Sequence, residues 1–278
     1  MKKQVDLIGS HPTTPSIFHA WLDCNDAPAT SKKRHRELKE KTKYDKDALI
    51  DWLSKKLIEH HYDETRLQRL KDKYTELGFK QYAENHRKLP RADRTKKGNA
   101  TEVILIEYIE GCQGKALVKH FKLRYNPNVD QAMKGDDVLL IDLYQEKGKD
   151  VVKVFLGEAK FRKKSTKTTV KSITKNLRRT KKPLSYSYLI DELGRNTATK
   201  TIADALDKFV IDEIKSNGNI IYAGFLLSDT NVFETVNKGL NSSNPDLVFI
   251  SMGLNRPIAL INKAFSKAEE LILNPTSI

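Results

Sequence analysis

Cysteine is nearly absent from this chain: Cys24 and Cys112 are the only two among 278 residues, and they stand far apart. That number excludes a disulfide framework, and the spacing excludes a zinc ribbon or finger, so a reducing cytosol is the expected compartment. Long apolar runs are missing as well. None approaches the roughly eighteen residues that would suggest a membrane span, and no charged-then-apolar leader opens the sequence. The expectation is a cytoplasmic protein with no membrane partner. There is no Gly-x-x-x-x-Gly-Lys-Ser/Thr loop, so the chain is not expected to hydrolyse ATP itself. No internal repeat is evident.

Acidic residues are also scarce relative to basic ones. Lys and Arg number 50 against 36 Asp and Glu, a formal charge of +14. Such an excess favours polyanions, of which nucleic acid is the common one. At this length the chain can bury one good core with an appended smaller element, or two small domains.

Two strand patterns carry the chemistry. Gly135-Asp136-Asp137-Val138-Leu139-Leu140-Ile141 is followed, past a Lys147-Gly148-Lys149-Asp150 turn, by Val154-Phe155-Leu156-Gly157-Glu158-Ala159-Lys160. Alternation along a strand puts Glu158 and Lys160 on one face, continuing the apolar stripe of Val154 and Leu156. Charges at the end of a core-facing row are costly unless paired or bound to an ion. Carboxylates on adjacent strands, an acid at the head of the first (Asp136 or Asp137) and Glu158 on the second, would hold Mg2+ (or Mn2+), with waters and phosphate oxygens completing its shell. Lys160 would act on the water side, orienting the nucleophile or offsetting charge on the phosphate. The implied reaction is metal-assisted phosphodiester hydrolysis. Against it stands the bland alternative of a partly solvated strand end carrying a surface Glu and Lys.

These residues resemble the PD-(D/E)xK nuclease superfamily, with Asp137 at the first position and Glu158 and Lys160 at the second. Asp136 replaces the literal Pro, which leaves open whether Asp136 or Asp137 holds metal; Asp137, directly before the apolar strand, is favoured. Four blocks in order are similar to the HamA family of Hachiman anti-phage systems: Lys97-Gly98-Asn99, Leu123-Arg124-Tyr125-Asn126-Pro127, Lys134-Gly135-Asp136-Asp137 and Gly157-Glu158-Ala159-Lys160-Phe161-Arg162. This resemblance implies a DNA-degrading effector working with HamB, a superfamily 2 helicase, which would restrain it until DNA is processed. It also implies an accessory acid on the first helix of the nuclease domain, a position that Glu102 fits. The plainer reading of Glu102 is a first-turn acid favoured by the helix dipole.

The expected fold is α/β, a restriction-endonuclease-like mixed sheet flanked by helices over 91–278, preceded by a mainly helical region over 1–90 whose helices either pack on the nuclease core or form a surface that docks the helicase. Residues 1 to about 44 read as irregular. Leu49, Trp52, Leu53 and Leu57 mark one amphipathic helix, and Leu67, Leu70, Tyr74 and Leu77 another. Arg87 to Lys97 reads as a linker, Ala116 to Tyr125 as the first strand, and Ile202 to Ile214 as one long helix. His60-His61 is expected at the exposed end of a helix, and Pro245-Asp246 as strand-entry turn chemistry. On a helix over Ser165 to Arg179, Val170, Ile173 and Leu177 face inward, while Lys167, Lys171, Lys175 and Arg178 form a ridge. With Arg162, that ridge would track a nucleic-acid backbone. A rival function of another class is a catalytically inactive nucleic-acid-binding or helicase-adaptor subunit on a nuclease-like scaffold. Metal and phosphate chemistry alone does not separate DNA from RNA.

Overall fold

A computed structural model describes residues 1–77, 86–131 and 133–273, with the side chains of 74–77 excepted. The Tyr74 and Leu77 positions of the predicted stripe therefore lie outside the described side chains. The chain divides into two compact units, Met1–Lys41 with Leu105–His120 and Gly135–Asn255, and Thr42–Ile104 with Phe121–Lys134 and Arg256–Ile278. This division does not follow a boundary at residue 90.

The first unit holds a seven-stranded mixed sheet. Its strands are β1 (Leu22–Asp26), β2 (His35–Glu40), β3 (Val118–Lys119), β4 (Val138–Glu146), β5 (Lys149–Phe161), β6 (Ile220–Ser228) and β7 (Leu247–Gly253), in the order β1-β2-β7-β6-β5-β4-β3. The four central strands β2, β7, β6 and β5 are parallel neighbours, and antiparallel strands flank them at both edges. Every residue of β6 is buried, as expected for a central strand covered on both faces. Besides α1 (Gln4–Ile8) and α2 (Ile17–Trp21), this unit carries α6 (Lys167–Asn176), α7 (Tyr186–Gly194), α8 (Lys200–Leu206), α9 (Ile211–Ser216) and α10 (Phe233–Gly239).

Residues 22–40, expected to be irregular, instead add two strands to one edge. The alternation is hidden because Arg36 points inward: it is fully buried and binds Asp26, its cross-strand partner, through two hydrogen bonds of 2.7 Å. The first nuclease strand expected over 116–125 shrinks to the two residues of β3, followed by a 3-10 turn at Lys122–Tyr125. The long helix expected over 202–214 is two short ones, α8 and α9, interrupted around Phe209.

The second unit is helical. It contains α3 (Lys46–His61), α4 (Glu64–Leu77), the first part of α5 (Asp93–Gln113) and α11 (Pro257–Leu273). α5 starts at Asp93, so the expected linker is partly helix. His60 and His61, expected at an exposed helix end, are both buried; the ring of His61 meets Phe265 of α11 and that of His60 meets Phe121. Among the described residues, no helix is long and apolar enough to cross a membrane.

Candidate active site

The hairpin of β4 and β5 sets the geometry. Val138 lies opposite Gly157, so Asp137, the residue before β4, continues the antiparallel register opposite Glu158. Cross-strand partners project to the same face. Behind the acids on that face stand Leu139, Ile141, Val154 and Leu156, all in one buried cluster with Val170 and Ile173 of α6. The acids thus emerge from the end of a dry stripe covered by α6. The glycine in β6 beside Glu158 lets the helix approach: a Cβ at Gly224 would stand 2.9 Å from Ile173 Cγ2 and 3.0 Å from a carbon of Phe249.

Each charged group has a defined partner. Asp137 Oδ2 accepts from the Ala159 amide at 3.0 Å. Glu158 Oε1 accepts from Asn176 Nδ2 at 2.8 Å and lies 3.2 Å from Lys160 Nζ, which also donates to Ser172 Oγ at 3.2 Å. The side chains of Glu158 and Lys160 are only 13% and 20% exposed, so neither is a freely solvated surface charge. Partial withdrawal from water strengthens their mutual attraction.

Asp136 turns elsewhere. Its buried carboxylate accepts from the Ser185 amide at 3.0 Å through Oδ2, and Oδ1 lies 3.6 Å from Lys181 Nζ. It ties the segment after α6 to the head of β4, whereas the Asp137 carboxylate stays on the hairpin face. Among the described residues, no group of three or more His, Cys, Asp or Glu has the placement of a metal cage. The donors available at the hairpin are hard carboxylate oxygens on Asp137 and Glu158, a set suited to Mg2+, which retains waters and takes the rest of its shell from substrate phosphate.

Three of the basic residues lie on the helix as its periodicity implied, and Arg178 does not. Lys167, Lys171 and Lys175 are exposed along α6, opposite the buried Val170 and Ile173; Arg162 is exposed before the helix and Arg178 after it, since α6 stops at Asn176. Glu102 belongs to the second unit, where its Oε2 lies 2.9 Å from Lys122 Nζ. It stands in the third turn of α5, so the first-turn dipole reading does not apply to it. Asp246 is a strand-entry residue: its amide donates to Asn244 Oδ1 at 3.0 Å and its carboxylate takes Lys2 Nζ at 2.7 Å.

Sequence reasoning missed Ser172 and Asn176, and also Lys181 and Ser185. The first two carried a signal, being small polar residues four apart on the helix that follows the Glu-x-Lys, hence on one face. Lys181 and Ser185 carried none, because they meet Asp136 only through the path of an irregular segment.

The family model described as HamA matches residues 15–268. Over 280 aligned residues the chain is 34% identical to the Hachiman protein HamA of Bacillus cereus, an alignment that covers 98% of each chain. It takes in the edge strands β1 and β2 and the helical unit as well as the hairpin, including the N-terminal third in which no sequence block was matched. On both comparisons, the chain belongs to the HamA family.

Proposed function

We propose that this protein is a metal-dependent DNA nuclease, with a restriction-endonuclease-like core, acting as an effector of anti-phage defence under the control of a partner helicase of the HamB type. The observation that carries the reading is the register of the hairpin: Asp137 and Glu158 opposite one another, with Lys160 on the same face and largely buried. The defence role is supported by family membership and by the relative's designation as a Hachiman protein.

Asp137 and Glu158 would hold the Mg2+, which when bound polarises a phosphoryl oxygen and acidifies a coordinated water. The chain's own groups do the positioning. Asn176 fixes one Glu158 oxygen, and the Ala159 amide fixes one Asp137 oxygen, so both carboxylates present defined lone pairs. Lys160, steadied by Ser172, stands beside Glu158 as a fixed cation that would orient the attacking water and offset charge growing on the phosphate. Lys167, Lys171, Lys175 and Arg178, with Arg162, would take the flanking phosphates.

The test is cleavage of supercoiled and linear duplex DNA with Mg2+ or EDTA, with the helicase and ATP present or absent, comparing wild type with Glu158→Ala and Lys160→Ala. Loss of cleavage in both variants with DNA binding retained is the expected result. Full cleavage by either variant under Mg2+ would refute the assignment, and binding without cleavage under every condition would favour an adaptor.

A further inference from the structure

The segment between α6 and α7, residues 177–185, is irregular yet fixed at several points. Tyr222 Oη donates to the Arg179 carbonyl at 3.1 Å and to the Lys181 carbonyl at 2.9 Å. Lys182 Nζ lies 2.7 Å from the Asp212 carboxylate, and the Ser185 amide is held by Asp136. Pro183, Ser185, Tyr186 and Leu189 are buried. Out of this frame stand two large apolar side chains, Leu184 at 76% exposure and Tyr188 at 40%. A leucine that open between buried neighbours is held outward by an anchored backbone.

Both side chains belong to the surroundings of the proposed active site. They flank Ser185, whose amide binds Asp136, the immediate neighbour of Asp137. The Tyr188 ring meets His120 edge-on, with centroids 5.6 Å apart, and the His120 amide donates to the carbonyl of Leu139, two residues past Asp137. The chain leading to them is basic, although Lys182 is paired with Asp212 and Glu192 Oε2 lies 3.6 Å from His120 Nδ1. From Lys160 through Ile190 the sequence contains no Asp or Glu, and Arg178, Arg179 and Lys182 are exposed.

Exposed Arg178 and Arg179 on the segment that leads to an exposed aliphatic side chain and an exposed ring match the needs of unpaired nucleotides, whose phosphates seek the cations and whose bases stack on the ring. In a duplex those base faces are already stacked on one another and closed to a side chain. We propose that Tyr188, assisted by Leu184, is a stacking platform for the bases of an unpaired DNA strand, directing single-stranded or frayed DNA to the hairpin acids in preference to intact duplex. The assignment of the strand as substrate rests on the nuclease reading above; its binding does not. The reaction class that supplies such a substrate is strand separation, which this chain has no nucleotide-binding loop to drive.

The test uses the full chain in EDTA and fluorescence anisotropy with three labelled oligonucleotides of one sequence: single-stranded DNA, duplex DNA and single-stranded RNA. Tyr188→Ala is expected to weaken single-stranded DNA binding about 10-fold while leaving duplex binding unchanged, and Leu184→Ala to act in the same direction more weakly. Tyr188→Trp, which keeps a ring, restores binding if stacking is the cause and fails to do so if the alanine variant is merely misfolded. The proposal is overturned if Tyr188→Ala retains full single-strand affinity, if its single-strand and duplex affinities fall equally, if only RNA depends on Tyr188, or if Tyr188→Trp binds no better than Tyr188→Ala. It is also overturned if only capture of the partner helicase depends on that ring. A parallel cleavage assay in Mg2+ separates the two claims. Tyr188-dependent binding without any cleavage by wild type sinks the nuclease reading alone, whereas Glu158-dependent cleavage indifferent to Tyr188 on single strands sinks the platform alone.

Discussion

Asn176, the last residue of α6, donates a 2.8 Å hydrogen bond to Glu158 Oε1, and Ser172, one turn earlier, accepts from Lys160 Nζ. One helix therefore holds both members of the Glu-x-Lys pair. Groups that orient a metal-binding carboxylate commonly matter by about 10- to 100-fold in metal affinity or activity. Asn176→Ala is expected to lower Mg2+-dependent cleavage by about 10-fold and to raise the Mg2+ concentration needed for half-maximal rate. A metal titration of the cleavage rate checks this; an unchanged curve would remove Asn176 from the site.

Gly224 keeps α6 close to the sheet. A methyl group there would press on Ile173 and Phe249, and overpacking of this kind costs about 1–3 kcal/mol. Gly224→Ala is expected to lower the urea midpoint without changing the slope of the transition, and to reduce cleavage by displacing Asn176 and Ser172. Wild-type stability in this variant would show that the layers yield more readily than the close approach implies.

Acid should loosen both units through two buried histidines. Burial pushes His35 and His61 down to about 4. His61 is held neutral in the core, with Nδ1 donating to the Leu57 carbonyl at 2.7 Å and Nε2 accepting from Asn99 Nδ2 at 2.9 Å. Each folded-state value lies below the unfolded one near 6.5, so the folded state resists protonation. Their stability contribution is complete above about pH 6.5 and is lost as pH falls toward 4, on the order of 3 kcal/mol per histidine at the lower limit. Urea unfolding at pH 7 and pH 5 checks the sign, and His61→Gln should flatten the dependence.

The Arg36–Asp26 pair joins β1 to β2 through a guanidinium that is fully buried. Asp26→Asn leaves that cation without its counter-charge. The expected loss is on the order of 2 kcal/mol, reduced from the value for a sealed pair because Asp26 reaches solvent. Arg36→Met should cost less than Asp26→Asn if desolvation of the guanidinium dominates. Denaturant midpoints of the two variants decide the order.

The α6 ridge predicts a salt-dependent effect. Replacing Lys167, Lys171 and Lys175 together with Gln should weaken DNA binding and flatten the plot of log affinity against log salt. For every phosphate that the ridge no longer neutralises, the slope should fall by about 0.9 on duplex or about 0.7 on single strands. An unchanged slope would mean that the ridge faces solvent without meeting nucleic acid.

Much of the hairpin was legible because it reads as two apolar runs, Val138–Ile141 and Val154–Leu156, with Asp137, Glu158 and Lys160 at their ends and a turn between them. The N-terminal strands were not. His35-Arg36-Glu37-Leu38 buries Arg36 through a pairing that a polarity pattern reads as surface, and His35 is likewise inside, bound to Ser251 Oγ at 2.8 Å. The anchoring of Asp136 to Ser185 was invisible, since an irregular segment advertises its path in no periodicity. His60 and His61 were misplaced because their burial depends on Phe121 and Phe265, neither near them in sequence.

The sheet's strand order also has a consequence for how the molecule is made. β2 can enter only by pairing with β7, and their side-chain link between His35 and Ser251 spans 216 residues. A ribosome must therefore add those 216 residues before β2 can meet its parallel neighbour. Until then β2 has no parallel strand beside it, and closing so long a loop is slow. Completion of this sheet thus waits on the synthesis of β7.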